Sequence, residues 1–212
     1  MAKEARSPGR STTASQGRRA RPSREAVESA IRTLISWMGD DAGRAGVEAT
    51  PSRVAHSLKR LTNAGGTSLR HLLHEGVFRH DDDGLILIRD VEFYSLCEHH
   101  LLPFFGRVHV AYLPVGRIIG FSRIPRLVEH FARRLQVQER LTSQVATALE
   151  QAVSPAGAAC MVEAFHLCMA MRGVEKQQAT AVTWSYRGVF REEVERRRDL
   201  EVLIGAGRPL RP

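Results

Sequence analysis

At Asp81-Asp82-Asp83-Gly84 the hydrophobic period of the chain changes, and the architecture open to it changes with it. Before that cluster the spacing is helical. Ala26, Ala30, Ile31, Leu34, Ile35 and Met38 predict a helix from Arg24 to Met38, with Ser23 placed to cap it. Thr50-Pro51 opens a second helix through Val54, Leu58 and Leu61, which should stop near Ala64-Gly65-Gly66. After the cluster, Leu85 to Tyr94 reads as strand. Arg107 to Tyr112 alternates, with Val108, Val110 and Tyr112 on one face, and Arg117 to Phe121 looks like its hairpin partner across Pro114-Val115-Gly116. Ile124 to Val153 holds one or two long amphipathic helices, and strand texture returns at Met161–Cys168 and Thr180–Tyr186. Helices, hairpin, long helix and hairpin in that order predict an α+β domain with an antiparallel sheet. No internal repeat stands out.

A chain of 212 residues can bury a sizeable core. Its net charge of +8 invites a nucleic-acid reading, but the charge is concentrated. Lys3, Arg6, Arg10, Arg18, Arg19, Arg21 and Arg24 stand against Glu4 alone in residues 1–24, so the remainder is nearly balanced. That leader lacks aromatic residues and is rich in Gly, Ser, Thr and Pro, a composition that cannot bury enough surface to order itself. The expected organisation is a disordered basic tail at 1–23, an N-terminal helical segment at 24–80, a sheet domain at 81–205 and a short C-terminal tail at 206–212. No apolar run approaches the length of a membrane span. Three cysteines, Cys97, Cys160 and Cys168, do not make a disulfide framework, and the basic N-terminus has no apolar core of a secretory signal. The compartment reads as reducing and cytoplasmic, with an organelle leader the lesser reading.

Cys97-Glu98-His99-His100 places a thiolate and an imidazole three residues apart, close enough to converge in a turn. Zinc favours such sulfur and nitrogen donors in tetrahedral geometry, and it needs a third. His166 and Cys168, two apart on an expected strand, would project from one face and offer both a ligand and a spare imidazole. Cys97, His100 and Cys168 with two uncommitted histidines, His99 and His166, form the inventory of a catalytic zinc site with an open position. Cys160 reads as a small core residue, and His56, His71, His74, His80, His109 and His130 as structural histidines.

Four segments carry a resemblance. Tyr94-Ser95-Leu96-Cys97-Glu98-His99-His100-Leu101-Leu102-Pro103-Phe104, Gly120-Phe121-Ser122-Arg123-Ile124-Pro125-Arg126, Gln136-Val137-Gln138-Glu139-Arg140-Leu141-Thr142 and His166-Leu167-Cys168-Met169-Ala170-Met171-Arg172-Gly173-Val174 resemble the signatures of the GTP cyclohydrolase I family, in the family's order. The resemblance runs from about Arg24 to about Leu203. It implies zinc held by Cys97, His100 and Cys168, and conversion of GTP to 7,8-dihydroneopterin triphosphate and formate by metal-activated water at C8. It assigns His99 and His166 to proton transfer and Glu139, beside Gln138, to the guanine edge. It places Ser122 near the ribose, and Arg126 and Arg172 with the basic residue at 123 on the phosphates. It also implies the tunnelling fold, a small antiparallel sheet with helices on one side. Subunits of that fold join their sheets into a ring, two pentamers stack into a homodecamer, and each active site lies at a subunit interface.

This chain departs from the family's usual pattern at five positions. Arg123 stands where Lys is usual, Phe121 and Pro125 intrude nearby, Leu135 replaces a Pro, and Trp184 adds bulk to a stretch usually small. The departures motivate a second hypothesis, a related zinc hydrolase with another nucleotide preference. A third, a zinc-stabilised nucleic-acid binder using the tail, ranks well behind because the folded part is nearly charge-balanced.

Overall fold

The computed structural model describes residues 21–64 and 68–205. The expected disordered tail up to residue 20, the helix stop at Gly65-Gly66 and the tail at 206–212 lie outside them. The chain divides into two compact units, Met1–His56 and Ser57–Pro212. In the first, α1 (Arg24–Trp37) buries Ile31 and Ile35, and its Ser23 cap accepts from the Ala26 amide at 3.2 Å. α2 (Thr50–Leu61) starts at the Thr-Pro pair and runs across the unit boundary.

The second unit is a five-stranded sheet with helices. β2 (Ile86–Cys97), β3 (Pro103–Leu113), β6 (Gly157–His166) and β7 (Ala181–Gly188) pair antiparallel, and the two-residue β5 (Leu135–Gln136) lies parallel to the end of β2. The order is β5-β2-β3-β6-β7. Val108, Val110 and Tyr112 are fully buried on one face, as their alternation predicts. They meet α4 (Arg123–Ala132) through Ile124, Leu127 and Val128, and α5 (Gln138–Val153) through Leu141, Val145 and Leu149. Gly106 is required between β3 and β6, because a Cβ there would lie 2.0 Å from the Glu163 carbonyl oxygen.

Several expectations change. The expected helical segment 24–80 ends in α3 (Leu69–His74) and β1 (Val77–Arg79), and both belong to the sheet-bearing unit, where α3 packs on α4. Arg117–Phe121 is not the hairpin partner of β3, whose flanks are filled by β2 and β6. Instead β4 (Arg117–Ile119) pairs with β1, and the Ile119 amide donates to Tyr112 Oη at 3.1 Å. Of the one or two helices expected over Ile124–Val153, the structure has two, split by β5. Pro125 falls in the first turn of α4, where a missing N–H costs no helical hydrogen bond.

The helices are also not confined to one side. α7 (Val189–Glu192) and α8 (Val194–Gly205) bring Phe190, Leu200 and Ile204 onto Ala111, Ala159 and Met161, forming a second cluster apart from the main core. α8 buries only Leu200 and Ile204, and its other apolar residues, Val194, Val202 and Leu203, are exposed, so no single apolar stripe announces an amphipathic helix. Trp184 packs in this second cluster and stacks on Tyr186.

Candidate metal centre and active site

Cys97 is the last residue of β2, and the four residues after it form a tight turn. The Cys97 carbonyl accepts from the Leu101 amide at 2.8 Å, and the Leu102 carbonyl accepts from the Cys97 amide at 2.9 Å. Leu101 closes the turn with φ at +56°, a conformation that costs a side-chain-bearing residue about 1–2 kcal/mol. The turn throws His100 back toward Cys97.

The third donor arrives differently from the expectation. β6 ends at His166, where its register with Phe104 on β3 runs out, and its pairing with β7 has already ended at Ala164. The unpaired backbone coils into the single turn α6 (Leu167–Ala170), so Cys168 sits on a helical turn and not on the strand face shared with His166. Cys97, His100 and Cys168 nevertheless offer ligand atoms all within 4.8 Å of one another. Donors around tetrahedral zinc stand about 3.8 Å apart for two sulfurs, so a small contraction would suit the ion. Burial, then the neighbouring Cys97 sulfur, push the Cys168 thiol above its ordinary value. A divalent cation between the two sulfurs would remove that penalty, so the donor set fits a metal. Cys160, by contrast, is fully buried in the main core, as expected.

Around this group stand the two spare histidines. His99 Nδ1 lies 3.8 Å from the Cys97 sulfur. The half-buried His166 stacks on Phe104, with ring centroids 4.7 Å apart and planes 7° apart, and its Nε2 lies 2.7 Å from Gln138 Oε1. Burial lowers the His166 pKa, partly opposed by the charge of Glu139. Gln138 is buried at the start of α5, while its neighbour Glu139 is exposed.

A salt bridge ties the metal turn to α5. Arg140 engages both carboxylate oxygens of Glu98, and this contact holds the Glu98 carboxyl below its ordinary pKa. Arg140 also reaches Gln136 Oε1 at 2.6 Å, and the Gln136 carbonyl accepts from the Glu98 amide at 3.1 Å. Phe104, Gln136 and Arg140 were not singled out for these roles from the sequence. The usable signal was that all three fall inside the recognised segments.

Of the remaining candidates, Arg172 lies close enough to the metal group for its charge to act on Cys168, whereas two others line a separate cavity. Arg123 and Arg126 line a cavity of about 380 Å³ together with His71, Glu75, His130 and Arg133. None of the three metal-donor residues lines it. The stem of Arg123 crosses bare Gly76, where an added Cβ would come within 2.6 Å of it. Ser122 precedes α4, exposed and without a side-chain capping bond, and Arg172 is exposed just after α6.

Comparisons with known proteins point one way. The family model described as GTP cyclohydrolase I matches residues 27–204. The protein named GTP cyclohydrolase 1 from Methylococcus capsulatus is 49% identical over 179 residues, which is 84% of this chain and 97% of that protein. The one from Gloeobacter violaceus is 49% identical over 82% of this chain and 82% of its own length. The one from Campylobacter jejuni serotype O:23/36 is 43% identical over 87% and 97%. Among solved structures, the archaeosine synthase QueF-Like in the apo form aligns with a TM-score of 0.41 at 16% identity, over 50% of this chain and 96% of that one, too distant to bear on the argument. With a matched span that takes in the metal donors, both spare histidines and all four recognised segments, the chain belongs to the GTP cyclohydrolase I family, whose members are hydrolases.

Proposed function

We propose that this chain is a zinc-dependent enzyme that hydrolyses GTP at C8 and rearranges it to 7,8-dihydroneopterin triphosphate, releasing formate. It would open a folate, other pteridine or deazapurine pathway. The convergence of Cys97, His100 and Cys168 beside two uncommitted imidazoles, in a member of this family, carries the reading. Zinc, when bound there, would supply Lewis acidity and lower the pKa of water to about 7. The chain's own residues do the rest. His99 and His166 exchange protons with the opening purine and ribose near neutral pH. Glu139 accepts from N1–H and the exocyclic amine, a pattern guanine offers and adenine does not. Arg123, Arg126 and Arg172 hold phosphate oxygens with guanidinium forks, and Ser122 meets the ribose.

The Arg123–Arg126 cavity and the metal group have separate linings in one chain, which supports a site assembled from more than one subunit. β7 is an edge strand, and β5 covers β2 only at Leu96 and Cys97, so both sides of the sheet offer unpaired backbone among the described residues. Such edges suit a ring of copies, and we propose the homodecamer of two stacked pentamers. Sedimentation of the full chain is expected at the mass of ten copies; a monomer that turns over GTP at full rate would exclude the shared site. The free thiols at Cys97, Cys160 and Cys168 suit a reducing cytoplasm, and no described helix is long and apolar enough to cross a membrane.

The test is GTP turnover, read as dihydroneopterin fluorescence after oxidation, with and without a zinc chelator. Chelator-sensitive product and formate release are expected. Running dGTP, GDP and ATP alongside examines the departures at 121–125. Equal or better turnover of one of these would replace GTP as the substrate, while Trp184, packed in the second cluster, is expected to have no part in the choice.

A further inference from the structure

Gln138 lies in the segment that the family resemblance associates with the purine, yet its side chain is only 3% exposed and every polar atom on it is engaged. Its Nε2 stands 3.0 Å from the Val162 carbonyl oxygen, 2.9 Å from the Ala181 carbonyl oxygen and 3.1 Å from Thr183 Oγ1. Two of these are carbonyls, which only accept. The atom facing them must therefore be the amide NH2, and the orientation of the amide group is settled by its surroundings. Its oxygen is then the atom that meets His166 Nε2 at 2.7 Å. An amide oxygen only accepts, so the hydrogen in that contact belongs to the imidazole.

We infer that Gln138 is a positioning residue that fixes His166 as the Nε2–H form, leaving Nδ1 as the ring nitrogen that exchanges protons with substrate. The inference rests on the proposed role of His166. The amide is anchored to β6 through Val162 and to β7 through Ala181 and Thr183, neighbouring strands paired at Val162 and Thr183. Thr142, one turn along α5, braces the same spot: its Oγ1 lies 2.6 Å from Thr183 Oγ1 and 2.7 Å from the Gln138 carbonyl oxygen. Stacking on Phe104 removes the remaining freedom of the ring. Nδ1 makes no hydrogen bond with any described residue. With its amide spent on the protein, Gln138 has no side-chain group left for guanine, and purine selection falls to the exposed Glu139.

Neutron diffraction from deuterium-exchanged crystals of the full chain at neutral pH reads the inference directly and needs no turnover, so it stands apart from the GTP assay. Deuterium on His166 Nε2, directed at Gln138 Oε1, is expected. A bare Nε2 with deuterium on Nδ1 alone would overturn the inference. A kinetic arm uses Gln138→Met, which keeps the length of the side chain and removes the acceptor. Zinc content and KM for GTP should hold while kcat falls by up to about a hundredfold, the low end of what a positioned acid or base contributes. A raised KM with unchanged kcat would instead make Gln138 a substrate contact and overturn its positioning role. Should the buried carbonyls of Val162 and Ala181 prevent that variant from folding, the neutron map decides alone.

Discussion

Cys168→Ser is expected to lose zinc to a chelator that leaves the parent protein loaded, and to lose GTP turnover in proportion. Cys97, His100 and Cys168 are the three residues that converge as a metal-donor group among the described residues, so the variant keeps only two of them. A serine hydroxyl stays protonated at the pH where a metal-facing thiol ionises, and zinc binds the thiolate. Loss of an outer partner already weakens metal binding by about 10–100-fold, and loss of a donor should exceed that. The fold should persist, because Cys168 sits half-buried on a one-turn helix at the edge of the core. Metal analysis after dialysis, with circular dichroism as the folding control, checks both halves. One zinc per chain retained in the variant would take Cys168 out of the ligand set.

His166→Ala is expected to give the opposite pairing of results: zinc retained at the parent level and turnover reduced by roughly two to four orders of magnitude, the usual range for a positioned acid or base. The residue lies outside the donor trio, so its removal leaves Cys97, His100 and Cys168 in place. Truncation also leaves Gln138 Oε1 without its partner, and a buried acceptor so stranded costs about 1–3 kcal/mol of stability. That loss would show in a denaturation midpoint and is separable from the rate. An unchanged kcat would remove His166 from proton transfer.

The candidate metal donors were legible because metal chemistry admits few side chains. Cys97, His100 and Cys168 are three thiol or imidazole groups set within recognisable segments, and the fold brings them together. The route by which Cys168 arrives was not legible. Apolar texture through Met161–Cys168 cannot show that pairing with β7 ends at Ala164, and that pairing with β3 ends at His166. The same limit hid the partner of β4, since strand texture carries no information about which strand lies alongside. α8 was missed because its apolar residues do not fall on one helical stripe: Leu200 and Ile204 are buried while Val194, Val202 and Leu203 are exposed. Nor was the setting of Gln138 legible: the sequence does not show that two backbone carbonyls, of Val162 and Ala181, accept from its side-chain amide.

The turn at Glu98–Leu101 has a consequence for the order of events at the ribosome. Cys97 and His100 leave the ribosome well before Cys168, with β3, both long helices and β6 still to follow. At about 5–20 residues per second that interval lasts several seconds. Throughout it the nascent chain presents an incomplete pair of donors, a weak and promiscuous chelate for soft or borderline cations. Selectivity for the ion would therefore be exercised only once Cys168 has emerged and α6 closes the set. Cells starved of zinc during synthesis should accumulate folded but metal-free subunits that can be activated later by the ion alone.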